Sequence, residues 1–196
     1  NRLTASNTGD GDGFGWSVAI AGDGQTIAVG AIFEDGPTSG INGPDGSGRL
    51  NSGATYVFAR SGNVWSQQAY IKASNSGEFD WFGYAVALSA DGNTLAVTAN
   101  DEDSSAQGLD DAQDNNATSA SGAAYVFRRQ GGAWHQSRYI KVTNTESFDR
   151  FGDSIALSGD AQSLAVGSAS EDSAATGIGG DQNDNSGTGS GAVYLY

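Results

Sequence analysis

The sequence predicts an all-β protein, a β-propeller built of four-stranded antiparallel blades. Three observations predict it. One segment is written three times: "GDGFGWSVAIAGDGQTIAV" (11–29), "FDWFGYAVALSADGNTLAV" (79–97) and "FDRFGDSIALSGDAQSLAV" (148–166), offset by 68 and then 69 residues. Within each copy, two runs of period-two hydrophobicity flank an Asp-centred turn, the pattern of a β-hairpin. The composition favours turns over helices, with 30 Gly, 2 Pro, no Met, and few Lys, Leu or Glu. A period near 69 residues is too long for a helical solenoid unit and suits a sheet of several strands.

The middle copy justifies each strand in turn. "FGYAVALS" (82–89) alternates small and apolar residues, "ADGN" (90–93) is the hairpin turn, and "TLAVTA" (94–99) returns. A stretch rich in Asp, Asn, Ser and Gly follows over 100–121, then the strand-like "GAAYVFRR" (122–129). A "QGG" turn (130–132) leads to the fourth strand, "AWHQSRYIKVT" (133–143). One such sheet cannot bury both faces alone. Stacking blades about an axis does so, and the small residues near the inner strand (Gly15, Gly83, Gly152, Ala19, Ala87, Ala156) suit a crowded centre.

The repeats run over approximately 7–75, 76–144 and 145–196, and 1–196 form one propeller-type unit. The opening "NRLTASN" aligns with "AYIKASN" (69–75) and "RYIKVTN" (138–144), so residues 1–6 read as the end of a fourth strand. The closing "GAVYLY" (191–196) reads as a third strand. The N-terminal strand is therefore expected to complete a blade, its own or that of a neighbouring chain. Three blades are fewer than the usual four to eight or so. Three arrangements answer this: a piece of a larger ring, two chains sharing a six-bladed ring, or a filament joined through open strand edges. The absence of Met even at position 1 suggests a processed product or part of a longer chain.

Nine Lys and Arg against 23 Asp and Glu leave a formal net charge of −14. That charge argues against nucleic acid or anionic lipid as a partner, and no apolar run is long enough for a membrane helix. No Cys is present, which removes disulfides, thiolate catalysis and Cys-based zinc sites. His135 is the only His, so Ser-His-Asp catalysis has no second base to draw on. A carboxylate pair acting as a glycosidase remains an alternative, but nothing singles one pair out.

The acid is not evenly spread. Strands of a blade alternate in direction, so the 2–3 loops and the connections from strand 4 to the next strand 1 share one face. The long 2–3 loops hold Glu34, Asp35, Asp45, Asp101, Glu102, Asp103, Asp110, Asp111, Asp114, Glu171, Asp172, Asp181 and Asp184, and the connections add Asp10, Asp12, Glu78, Asp80, Glu146 and Asp149. Two features recur: an Asp two residues before each "FG" (Asp12, Asp80, Asp149), and a Glu-Asp pair opening each long loop (Glu34-Asp35, Glu102-Asp103, Glu171-Asp172). Asp101 and Asp103, and Asp181, Asn183, Asp184 and Asn185, space oxygens as a hard cation needs them. These residues are the expected ligands of Ca²⁺, which would order the long loops. The competing reading is a solvated acidic face whose loops satisfy their own backbone through Asx turns.

The pattern from Phe14 to Ala31, closed by "GATYVF" (53–58), resembles the FG-GAP repeat. The "FG" element is matched by Phe14-Gly15, Phe82-Gly83 and Phe151-Gly152, and "GA" by Gly30-Ala31 and more loosely by Thr98-Ala99 and Gly167-Ser168. The Pro of "GAP" is missing throughout. "WSQQAYIKASN" (65–75) and residues 175–196 look like the bacterial exported branch. The resemblance implies the propeller of integrin alpha subunits, Ca²⁺ in some blades, and ligand binding on one face. Integrin-style calcium turns do not carry over, because "AGDGQT", "SADGNT" and "SGDAQS" are short and hold one Asp each; Asp23, Asp91 and Asp160 read as turn residues.

Trp65 and Trp134 repeat in strand 4 and read as inter-blade packing. Trp16 and Trp81 do not repeat and are candidate contacts for a sugar or a protein partner. The expected function is non-enzymatic binding or adhesion outside the cell, at a surface or after secretion, by a protein or glycan ligand at the acidic face. The alternatives are a structural subunit joined by strand exchange and a carbohydrate-binding or carbohydrate-active propeller.

Overall fold

The computed structural model describes residues 2–44 and 46–196; Asp45, counted above among the loop carboxylates, lies outside the described residues. Hydrophobic alternation becomes two four-stranded antiparallel sheets and one of three strands. The first contains β1 (Val18–Ile20), β2 (Thr26–Ala31), β3 (Ala54–Ser61) and β4 (Val64–Ile71). The second contains β5 (Val86–Leu88), β6 (Thr94–Ala99), β7 (Ala123–Gln130) and β8 (Ala133–Ile140). The third contains β9 (Ser154–Leu157), β10 (Leu164–Ser168) and β11 (Ala192–Leu195). Strand order follows chain order in every blade.

The first strands are shorter than the alternation suggested. Phe82 to Ala85 precede β5, because Gly83 sits at φ 94° and its N–H turns to Thr98 O. The Asp turns behave as read: Gln25 N–H donates to Asp23, Asn93 N–H to Asp91 and Gln162 N–H to Asp160. Hydroxyl and backbone donors hold the Asp91 carboxyl down at about 2.

Blades pack by unlike faces. The second blade presents Phe82, Tyr125, Phe127, Trp134 and Tyr139 to Ala28, Val57, Ala69 and Ile71 of the first. The third presents Phe151, Leu164 and Tyr194 to Ala96, Ala124 and Ile140 of the second. The Phe of "FG" is the centre of each set, meeting its neighbours edge-on, as Phe82 meets Tyr125 at 5.3 Å. Trp134 is inter-blade packing as expected: its Nε1–H donates to Gln68 Oε1 at 3.0 Å, across the blade boundary. Backbones also meet there. Gly53 (φ 79°) lies against the Phe82 backbone and Gly122 (φ 79°) against that of Phe151, where any Cβ would collide.

Residues 2–6 form no strand, and β11 pairs with β10 alone. Among the described residues the third blade therefore has three strands. The N-terminal segment lies against the first blade instead, with Ser6 N–H donating to Gln67 Oε1 and Tyr56 O–H donating to Asn7 Oδ1.

Candidate functional site

Backbone bonds join the long loops to the connections that enter the next blade. Phe79, Trp81 and Phe82 donate N–H groups to Leu50, Asn51 and Ser52; Phe148, Arg150 and Phe151 do so to Ser119, Ala120 and Ser121. The 1–2 turns hydrogen-bond to one another elsewhere, Asp23 to Ala90 and Ala90 to Gly159. The two loop classes that carry the acid thus share one face.

The Glu of each Glu-Asp pair points inward. Glu34 is 2% exposed and its Oε2 accepts from Lys72 Nζ at 2.6 Å; Glu102 is 1% exposed and accepts from Lys141 Nζ at 2.8 Å. Tyr70 and Tyr139 donate to the other oxygen at 2.8 and 2.9 Å. Asn7 and Asn75 donate to the same oxygens, and Ser52 and Ser121 accept from the lysines. A buried charge persists only with such a full set of partners. Burial pulls both lysines below their ordinary pKa, while the glutamates oppose that shift.

The other expected ligands are spent on their own loops. Asp35 accepts from Asn51 N–H, Asp103 from Ala120 N–H and Asp172 from Gly189 N–H. Asp12 and Asp80 accept from Gly9 and Gly77 N–H, each at 2.6 Å, and Asp149 accepts from the backbone at Glu146. Asp101 meets Arg150 at 3.1 Å. Asn183 N–H donates to Asp181, Ser186 N–H to Asp184, and Asn185 Nδ2–H to Glu146. Glu171, 2% exposed, accepts from Asn144 and Ser173. Among the described residues no three acidic or His side chains converge as a metal site.

Burial pushes the Asp80 carboxyl up to about 7, with Glu102 and Asp103 nearby adding to it and the Gly77 N–H opposing it. Asp149 rises to about 6 for the same first reason, helped by Glu146, Glu171 and Asp172. His135 lies exposed on β8.

Trp16 and Trp81 are brought together. Trp16 meets Phe33 at 5.8 Å and Tyr84 at 5.9 Å; Trp81 meets Phe33 at 6.3 Å and stacks on Tyr84 at 6.5 Å. The four rings bridge the first two blades at the acidic face, and Trp16 stays 51% exposed. Phe33 and Tyr84 were not among the candidates, since neither stands out beside the other aromatics of its repeat.

The lysine–glutamate networks were missed as well. Their signal was present: the chain has two Lys, at the same place in two repeats, each two residues after a Tyr and hence on one strand face. The FG-GAP repeat model matches residues 1–58 and 65–127. No curated protein matches the chain.

Proposed function

The chain belongs to the FG-GAP repeat family, and on that premise we propose that it is a non-enzymatic binding module that works outside the cell, engaging a protein partner through its acidic loop face. FG-GAP repeats occur in adhesion proteins of the integrin type and are in general not catalytic. Among the described residues no helix is long and apolar enough to cross a membrane.

The observation that carries this reading is the four-ring cluster of Trp16, Phe33, Trp81 and Tyr84 on the face that bears the acidic loops. An exposed aromatic anchor ringed by charge is the composition of a binding hot spot. The net charge of −14 selects basic partner surfaces and speeds encounter with them. Calcium has no part in this reading, because the loop carboxylates already have lysine, arginine or backbone partners. EGTA should leave the thermal midpoint where it is; a fall of several degrees, restored by Ca²⁺, reinstates the metal.

The test passes the chain and Trp16→Ala over immobilised extracellular-matrix proteins and a glycan array at low and high salt. The expected result is protein binding that salt weakens and that Trp16→Ala reduces by about tenfold or more. Glycan hits lost in Trp16→Ala but indifferent to salt would move the reading to carbohydrate binding, which the stacked Trp81–Tyr84 pair also suits. Binding indifferent to both overturns the loop-face site.

A further inference from the structure

The connections that enter the three blades share one backbone form. In each, two residues in the left-handed region flank the recurring Asp: Gly11 and Gly13 at φ 87° and 70°, Phe79 and Trp81 at 66° and 57°, Phe148 and Arg150 at 72° and 54°. The first connection shows what this backbone prefers, since glycine has no Cβ to crowd there. A bulky ring in the same place is a conformational outlier. Such an outlier persists only where its surroundings hold it, and outliers gather at sites of function.

The backbone holds the form without help from the rings. Phe79 N–H donates to Leu50 O and Phe148 N–H to Ser119 O, each at 2.9 Å. At the second left-handed position the side chain has a use inside the chain: Trp81 stacks on Tyr84, and Arg150 meets Asp101. At the first position no such use is found. Phe79 and Phe148 are 46% and 64% exposed. Among the described residues they belong to no core cluster and meet no other ring. The same place in two blades therefore carries a left-handed ring turned to solvent, and neither the backbone bonds nor the core accounts for it.

The surroundings indicate what would cover these rings. Both lie on the acidic face. Leu50, whose carbonyl holds Phe79, is itself 48% exposed. Glu78 is exposed immediately before Phe79, and the partly exposed Glu146, which accepts from Asn185, stands two residues before Phe148. Apolar side chains set beside carboxylates complement a segment that alternates apolar and basic residues. An anionic lipid surface does not complement them, because the net charge of −14 meets a like potential there.

We propose that Phe79 and Phe148 are the apolar anchors of a docking surface for a partner protein segment that alternates apolar and basic residues. The two rings take its apolar side chains, and Glu78 and Glu146 meet its cations. This rests on the loop-face reading and deepens it, but through rings other than Trp16.

The experiment is fluorescence anisotropy with two labelled synthetic peptides of equal positive charge, one alternating Lys and Leu and the other Lys and Ser. The Lys-Leu peptide should bind the more tightly, and salt should weaken both. Phe79→Gly combined with Phe148→Gly should cut the affinity for the Lys-Leu peptide by about tenfold or more and leave that for the Lys-Ser peptide unchanged. The circular dichroism of this double variant should match the parent's, because the first connection already folds with Gly at this place. Equal affinity of the parent for the two peptides overturns the proposal and leaves an acidic face that binds basic partners. A double variant that binds the Lys-Leu peptide as the parent does overturns it in the same way. A thermal midpoint that falls as far in the double variant as in Phe82→Ala also overturns it, since the rings would then serve the fold. If Trp16→Ala leaves Lys-Leu binding unchanged while the double variant loses it, Phe79 and Phe148 stand and Trp16 leaves the loop-face reading. Absence of binding by either peptide overturns both.

Discussion

The second and third blades are built from near-identical stretches of sequence, yet among the described residues the second has four strands and the third has three. In the second, Glu102 sits among Lys141, Tyr139 and Asn75. In the third, Glu171 has Asn144, the Ser173 N–H and the Tyr194 hydroxyl, and among the described residues no Lys or Arg is paired with it. The difference teaches that the Glu opening each long loop is a receptor for the fourth strand. The tyrosine near the end of that strand and the lysine just past its last residue lock its register, because a slip by one residue would turn both away from the carboxylate. A buried ion pair adds little net stability over an apolar replacement, but its alignment requirement specifies one pairing among several.

The largest way to break the comparison is to remove the lysine where it exists. Lys141→Met leaves Glu102 buried without its cation and should cost about 3–5 kcal/mol in urea denaturation. Adding Glu102→Leu to it should recover most of that loss. The same carboxylate change has opposite signs in the two blades. Glu102→Gln strips Lys141 and destabilises, whereas Glu171→Gln removes a buried carboxyl that holds no lysine and should stabilise by on the order of 1 kcal/mol. Equal signs would mean that Glu171 has a cation after all.

A smaller effect follows from Asp80, 3% exposed, against its counterpart Asp12 at the partly exposed start of the first blade. The folded Asp80 carboxyl titrates at about 7, above the ordinary value near 4 or so. A raised carboxyl binds its proton more tightly in the folded state. Its contribution is therefore complete at low pH and lost as pH rises through about 7. Stability should decline across that window in the parent and be flatter in Asp80→Asn, whose side-chain oxygen still accepts from Gly77 N–H. Parallel pH profiles would remove the effect.

The smallest test concerns the inner turns. Gly24 and Gly92 hold φ 67° and 65°, while the third blade places Ala161 there at φ 57°. A Cβ in the left-handed region is unfavourable by about 1 kcal/mol. Ala161→Gly should therefore gain a few tenths to about 1 kcal/mol, read as a raised denaturation midpoint.

The acidic face shows where reading from sequence alone stopped. Counting carboxylates located the face, since loop sides follow from strand alternation. Counting did not tell inward from outward: Glu34 and Asp35 are adjacent, yet one goes to Lys72 and the other caps Asn51. The recurring Glu-Asp pairs suggested a cation, and at two of them the Glu holds a lysine, brought 38 and 39 residues along the chain by the fold. Trp16 and Trp81 were visible as unrepeated residues, but their meeting with Phe33 and Tyr84 depends on how two blades stack.

What the sequence by itself determined is local and repeated: period-two alternation makes strands, Asp-Gly turns fold them into hairpins, and threefold repetition makes like units that must stack. These follow from the backbone and its nearest neighbours. What only the tertiary structure decided is which polar groups are partners. Burial makes an unpaired charge intolerable, and only the packed strands show that Glu34 and Glu102 are satisfied by lysines and that Glu171 is held by Asn144 and Ser173.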